Sequence, residues 1–178
     1  STVKAGRGCV LLEASRRAML KLIAQVESVR KQIDGAFLKR AVRTYLAPML
    51  PDAELDSLIS EGVQVKRYGG GEVLFAEGDP ADGLYLIRRG SVTISRVLAG
   101  REVVLSYLSA GNYVGEMALL SDSPRMATVK AAVTTEVVTL DAEVFRRVLR
   151  RNPAWRDEME ARFLDRLRAN AAMEAQPD

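Results

Sequence analysis

Histidine is missing from all 178 residues. That absence removes every Ser-His-Asp or Cys-His nucleophile and every imidazole metal site, leaving carboxylate, lysine or backbone chemistry. Cysteine is nearly missing too. Cys9 alone closes neither an internal disulfide nor a Cys-x-x-Cys site, so nothing suggests an oxidising compartment and a cytoplasmic setting is expected. No stretch approaches the roughly 20 apolar residues of a membrane span, and no basic-then-apolar secretory leader opens the chain. Charge of one sign is scarce as well: 26 Lys and Arg face 23 Asp and Glu, a net +3, too small an excess to argue for a nucleic-acid partner. What is present, 48% hydrophobic and 28% charged residues, is the composition of a soluble domain with a real core. The opening Ser1-Thr2-Val3 has no initiating Met and is read as the start of a piece of something longer.

Residues 9 to 47 are expected to be helical. Leu12, Met19, Val26 and Ile33 recur every seven positions, with Ser15, Leu22, Val29 and Ala36 three residues after each, an a/d seam. Gly35 weakens the helix toward its end, and Phe37, Leu38, Val42, Tyr45 and Leu46 carry an apolar stripe on to Pro48. Such a stripe packs on its own domain, forms a homodimer seam over residues 12–36, or connects to an upstream domain. Polar Ser15 and small Ala36 at core positions weaken the case for a zipper. Residues 1–50 are therefore taken as an N-terminal helical segment and 51–178 as a second domain.

Past Pro51, after a short helix (Ala53–Ser60), the texture turns to period two. Strands are predicted at Val63–Tyr68, Glu72–Ala76, Leu84–Arg88, Ser91–Leu98, Arg101–Leu108, Tyr113–Val114, Ala127–Ala132 and Glu136–Asp141. Turn chemistry separates them at Gly69-Gly70-Gly71, Gly78-Asp79-Pro80, Arg89-Gly90, Ala99-Gly100 and Ala110-Gly111-Asn112. Seven or eight short strands at this spacing predict an antiparallel sandwich or roll, mainly β within an α+β chain. Two helices follow, the first capped by Asp141 and the second by Asn152 with Pro153 at its first position. The second carries Trp155, Met159, Phe163 and Leu167 at four-residue steps.

One segment carries chemistry. A strand ends at Gly115, where backbone can approach a ligand with no side chain in the way. Glu116–Leu120 can form one helical turn whose free N–H groups face beyond the strand, an anion site by geometry. Arg125, set by Pro124 at the start of the next strand, can grip phosphate oxygens with its guanidinium. Glu116 is out of place beside a simple anion. It fits a ligand that has both a phosphate and a hydroxyl donor, or it stabilises a helix N-terminus and pairs with Arg125.

Gly115-Glu116-Met117-Ala118-Leu119 followed by Pro124-Arg125-Met126-Ala127-Thr128-Val129 resembles the phosphate-binding cassette of the cyclic-nucleotide-binding domain family. Phe75-Ala76-Glu77-Gly78-Asp79-Pro80-Ala81-Asp82-Gly83-Leu84-Tyr85-Leu86-Ile87 and Gly90-Ser91-Val92 match its glycine-bearing strand pattern. The resemblance, over residues about 52 to 165, implies an eight-stranded antiparallel β-roll at about 62–141, jelly-roll-like, with helices before it and two after it at about 142–173. It implies binding of cAMP or cGMP with no cofactor and no catalysis. By that likeness Arg125 holds the exocyclic phosphate oxygens, Glu116 accepts the ribose 2′-OH, and the N–H groups of Met117 and Ala118 complete the cradle over Gly115, with Met126 and Ala127 beside it. Arg125→Ala is expected to abolish tight binding and leave the fold intact. Leu119 and Leu120 would pass the cassette's movement to Phe145 and Val148, and Phe163, Leu164, Arg166 or Leu167 on the last helix would cover the base.

Two positions depart from the family pattern. Val114 stands where an aromatic is frequent, and Met126 stands where members favouring cGMP carry a hydroxyl. The latter implies a preference for cAMP. The expected role is a regulatory sensor linked to an upstream effector, with no nucleic-acid or membrane contact by this stretch. The competing readings are a ligand-free interaction module of the same fold, or a fragment of a transcription regulator or channel.

Overall fold

The computed structural model describes residues 8–9 and 14–174. The chain divides into two compact units, residues 1–37 and 38–178.

In the first unit, α1 (Arg16–Gln25) opens on Ser15, whose hydroxyl accepts from the Ala18 N–H. The seam residue Ser15 is thus an N-cap. At Val26 the chain turns extended, φ −115° and ψ 101°, and α2 (Glu27–Ala41) starts on an acidic residue. The expected single helix over 9–47 is therefore interrupted at Val26, a β-branched residue with lower helix propensity. Leu22 and Val26 are exposed. Leu12, and the side chains of Val29 and Ile33, lie outside the described residues. Gly35 does not end the helix; α2 runs through it to Ala41.

In the second unit a π-helical turn (Val42–Leu46) buries Val42 and Leu46. After it comes α3 (Asp52–Gly62), and then the strands: β1 (Val63–Tyr68), β2 (Val73–Phe75), β3 (Gly83–Arg89), β4 (Ser91–Leu98), β5 (Arg101–Ser109), β6 (Tyr113–Val114), β7 (Thr128–Ala131) and β8 (Thr135–Asp141). The five-residue α4 (Glu116–Leu120) separates β6 from β7, and α5 (Ala142–Arg151) and α6 (Pro153–Glu174) close the described chain. Among the described residues the strands form two antiparallel four-stranded sheets, ordered β1-β8-β3-β6 and β2-β7-β4-β5. This is the β-roll with flanking helices that the sequence implied.

Period-two alternation explains how one sheet serves two cores. On β3, Leu84 and Leu86 face the helices, packing with Val138 and Leu140 of β8 against Leu55, Leu58, Phe145, Val148 and Trp155. Their neighbours Tyr85 and Ile87 face the other sheet, packing with Val137 against Phe75, Val92 and Val129. A strand buried on both faces must be apolar throughout, and Gly83–Ile87 is. Asp141 caps α5 by accepting from Glu143 and Val144 N–H. Asn152 turns its side-chain amide back to the Val148 carbonyl, at 2.8 Å, rather than forward along α6. The basic run on α5 meets acids: Arg146 pairs with Asp122, and Arg147 with Glu61 of α3. No described helix is long and apolar enough to cross a membrane.

Candidate functional site

A cavity of about 340 Å³ opens between α4, the β4–β5 hairpin, β7 and α6, within the size range of small-molecule sites, roughly 300–1,000 Å³. Gly115, Glu116, Met117, Ala118, Arg125, Met126 and Ala127, which the sequence singled out, all line it.

Gly115 makes the turn from β6 into α4. Its φ of 91° lies in the left-handed region, and a Cβ there would come within 2.5 Å of an Arg125 nitrogen. Gly115→Ala is expected to cost at least about 1–2 kcal/mol from backbone conformation alone, read by urea denaturation. A change under half of that would show that the turn tolerates a side chain.

Arg125 is 2% exposed. Its Nη1 donates to the Gly115 carbonyl at 2.9 Å, and its Nη2 donates to the Gly83 carbonyl at 2.7 Å and to Asp82 Oδ1. The guanidinium carbon stands 4.1 Å from the centre of the Phe75 ring. The Arg125 N–H donates to the Asp79 carbonyl, and its carbonyl accepts from Gly78 N–H, so the turn after β2 holds the residue's main chain. The Nε has no hydrogen-bond partner among the described residues.

Glu116, 1% exposed, is the first residue of α4. Its Oε1 accepts from Arg166 Nη1, and its Oε2 is buried with no partner among the described residues. Burial pushes this carboxyl above the usual carboxylate range, against the opposing pull of Arg166 and Arg125. Glu116 thus pairs across the cavity with Arg166 of α6, while Arg125 takes Asp82 as its acid.

Asp82 is the residue that sequence reasoning missed. Its Oδ1 accepts from Arg125 and its Oδ2 from the Tyr85 hydroxyl at 2.9 Å. Burial, reinforced by that bond, raises the Tyr85 phenol above its ordinary value. The available signal was an acid in the same glycine-bearing turn that carries the family pattern.

Of the four lid candidates, Arg166 and Leu167 line the cavity, joined by Ala169 and Ala171. Phe163 is half-buried and Leu164 is 49% exposed. Leu119, Phe145 and Val148 are buried in one core, with Leu120 packed against it. On the far wall Ile94, Leu105 and Leu108 supply apolar surface, with Arg96 and Ser106 beside them on the same two strands. No cluster of acids or cysteine able to hold a metal occurs among the described residues.

Residues 65–152 match the family model described as cyclic nucleotide-binding domain. A cAMP-dependent protein kinase regulatory subunit of Hypocrea atroviridis is 31% identical over 147 residues, which is 83% of this chain and 30% of that protein. Relatives of this kind are much longer, and the chain spans about a third of their length. The cAMP co-crystal structure of the regulatory domain of Toxoplasma gondii PKA superposes with a TM-score of 0.61 at 28% identity, covering 65% of this chain and 44% of that one. The Thermus thermophilus catabolite activator protein gives 0.61 at 34% identity, covering 72% and 60%. Over residues 65–152, the chain belongs to the cyclic nucleotide-binding domain family.

Proposed function

We propose that this cavity binds a 3′,5′-cyclic nucleotide, cAMP in preference to cGMP, and that the domain reports the bound nucleotide to a larger protein through the positions of its helices. One observation carries the reading. Arg125 and Glu116 both line the cavity, and each carries a buried polar atom, Arg125 Nε and Glu116 Oε2, that has no hydrogen-bond partner among the described residues. One is a donor on a cation and the other an acceptor on a carboxylate. Leaving such atoms buried and unpaired costs about 1–3 kcal/mol each, more when charged, so an arrangement of this kind calls for a ligand. That ligand must offer an anionic acceptor at one end and a hydroxyl donor at the other. A cyclic nucleotide does: its phosphate faces Arg125, and its 2′-OH, the ribose hydroxyl left free when the 3′ and 5′ oxygens are tied in the ring, faces Glu116.

Around these two contacts Gly115 leaves room for the phosphate, the first N–H groups of α4 at Met117 and Ala118 point to it, and the apolar surface of the far wall receives the base. Met126 offers no hydroxyl to a guanine amino group, which favours adenine. The route outward runs from α4 through Leu119 and Leu120 to Phe145 and Val148 of α5, all in or against one core. Nothing in this chemistry breaks a bond in the nucleotide: the role is binding and regulation of an attached or associated effector.

Isothermal titration calorimetry tests it. cAMP is expected to bind with a dissociation constant near 1 µM or tighter, about −8 kcal/mol, and cGMP several-fold more weakly. Absence of heat and of thermal stabilisation with both nucleotides would overturn the binding assignment. Equal affinities would remove the preference for cAMP.

A further inference from the structure

Among the described residues, α6 reaches the ribose-facing acid through Arg166. Its Nη1 donates to Glu116 Oε1 and, at 2.8 Å, to the Tyr113 carbonyl, and its guanidinium carbon lies 4.8 Å from the centre of the Tyr113 ring. Glu116 is thereby half satisfied: Oε1 is taken by α6, and Oε2 is buried with no partner among the described residues. Resting on the nucleotide reading above, we propose that Arg166 is a positioning residue for ribose recognition: by holding Oε1 it fixes Oε2 as the acceptor offered to the 2′-OH, so that closure of α6 and selection for a ribose are one event.

Two physical effects follow from that contact. The first is geometric. A carboxylate rotates about its terminal torsion, and a bond to one oxygen sets where the other points. The second is electrostatic. Glu116 is buried, which favours its neutral form; Arg166 on α6 and Arg125 before β7 oppose this, while the Tyr113 ring on β6 packs beside Arg166, and on its own element Glu116 has only its backbone N–H. Without Arg166 the carboxyl protonates more readily. Its hydrogen bond from a 2′-OH then loses the charge assistance that makes such bonds roughly twice as strong as neutral ones.

The rival account is that Arg166 merely holds α6 down. The structure separates the two roles. α6 is also anchored by buried Trp155 and Met159 and by Arg162, whose Nη1 donates to the Tyr113 hydroxyl at 3.4 Å and whose Nη2 donates to Glu158 rather than to Glu116. Arg162 is therefore a docking contact that leaves Glu116 untouched, and it serves as the control.

The experiment titrates the whole chain and its Arg166→Gln, Arg166→Lys and Arg162→Gln variants with cAMP and with 2′-deoxy-cAMP, by calorimetry at pH 6 and pH 8. The unsubstituted chain is expected to prefer cAMP by roughly 10–100-fold, the worth of one charge-assisted hydrogen bond, at both pH values. In Arg166→Gln the preference is expected to fall to about threefold or less, almost wholly through loss of cAMP affinity, and to be the smaller at the lower pH. Arg166→Lys, which restores the charge without the fork, should recover part of the preference at pH 6. Arg162→Gln should weaken both nucleotides by the same factor. An Arg166→Gln variant that loses both ligands equally, or an Arg162→Gln variant that loses the preference as fully, would overturn the proposal while the nucleotide reading stood. Failure of the unsubstituted chain to bind either compound would overturn both.

Discussion

Arg125→Lys is expected to weaken cAMP binding by about 100-fold or more while the domain remains folded. In the structure the guanidinium spends one nitrogen on the Gly115 carbonyl and another on the Gly83 carbonyl and Asp82, and its buried Nε has no partner among the described residues. A lysine ammonium keeps the charge but is a point donor on a flexible stem. It cannot span Asp82, two carbonyls and a phosphate at once. Losing two charge-assisted bonds to the ligand, at about 1.5–3 kcal/mol each, gives the stated factor. Calorimetry with cAMP supplies the affinity and a melting curve the folding control. An affinity within fivefold of the parent would contradict the assignment of Arg125 to the phosphate. Lysine is the informative substitution here. Arg125→Ala was expected from the sequence to spare the fold, but it would also remove the packing on Phe75 and strand the Gly115 and Gly83 carbonyls, so a lower melting temperature would accompany any loss of binding.

That difference shows where the sequence was legible. Local patterns were: short runs of strand-forming residues between turn residues located all eight described strands, Tyr113–Val114 included, and the Gly-Glu pair with Pro-Arg nine residues on marked the segment that lines the cavity. Contacts between distant residues were not. Asp82 and Arg125 lie 43 positions apart, and no periodicity joins a turn to a loop on another strand. Nor did the heptad count anticipate the extended backbone at Val26, because seam spacing reports side-chain type and not a local φ.

The docked face of α6 was harder to read, for a geometric reason. Residues four apart on an α-helix are offset by about 40°, so the row Trp155, Met159, Phe163, Leu167 spirals away from the core: the first two are 1% exposed, Leu167 37%. Seven or eleven positions past Trp155 the offset is only about 20°, which puts Arg162 and Arg166 on the docked face. A hydrophobic stripe read at fixed steps therefore points past the two arginines that contact Tyr113, of which the family resemblance brought in Arg166 but not Arg162.

Trp155→Ala carries the largest expected loss of stability. The indole is 1% exposed, meets the Phe145 ring edge-on with centroids 5.5 Å apart, and donates from Nε1 to the Leu46 carbonyl at 3.0 Å. It therefore joins the π-helical turn, α5 and the base of α6 at one point. Truncation leaves a void and an unpaired buried carbonyl, together about 3–5 kcal/mol. Trp155→Phe separates the two contributions: it fills most of the volume but removes the donor, and is expected to cost about 1–3 kcal/mol. Urea denaturation without nucleotide measures both, and a loss below about 1 kcal/mol for the alanine variant would show that α6 is not anchored there. The same variants bear on the proposed signal. Cyclic nucleotide stabilises the domain only as far as it binds the folded state. If α6 closes the site, loosening its base should lower cAMP affinity although Trp155 is absent from the cavity wall. An alanine variant that is destabilised yet binds cAMP as tightly as the parent would leave α6 a structural helix and place the output elsewhere in the fold.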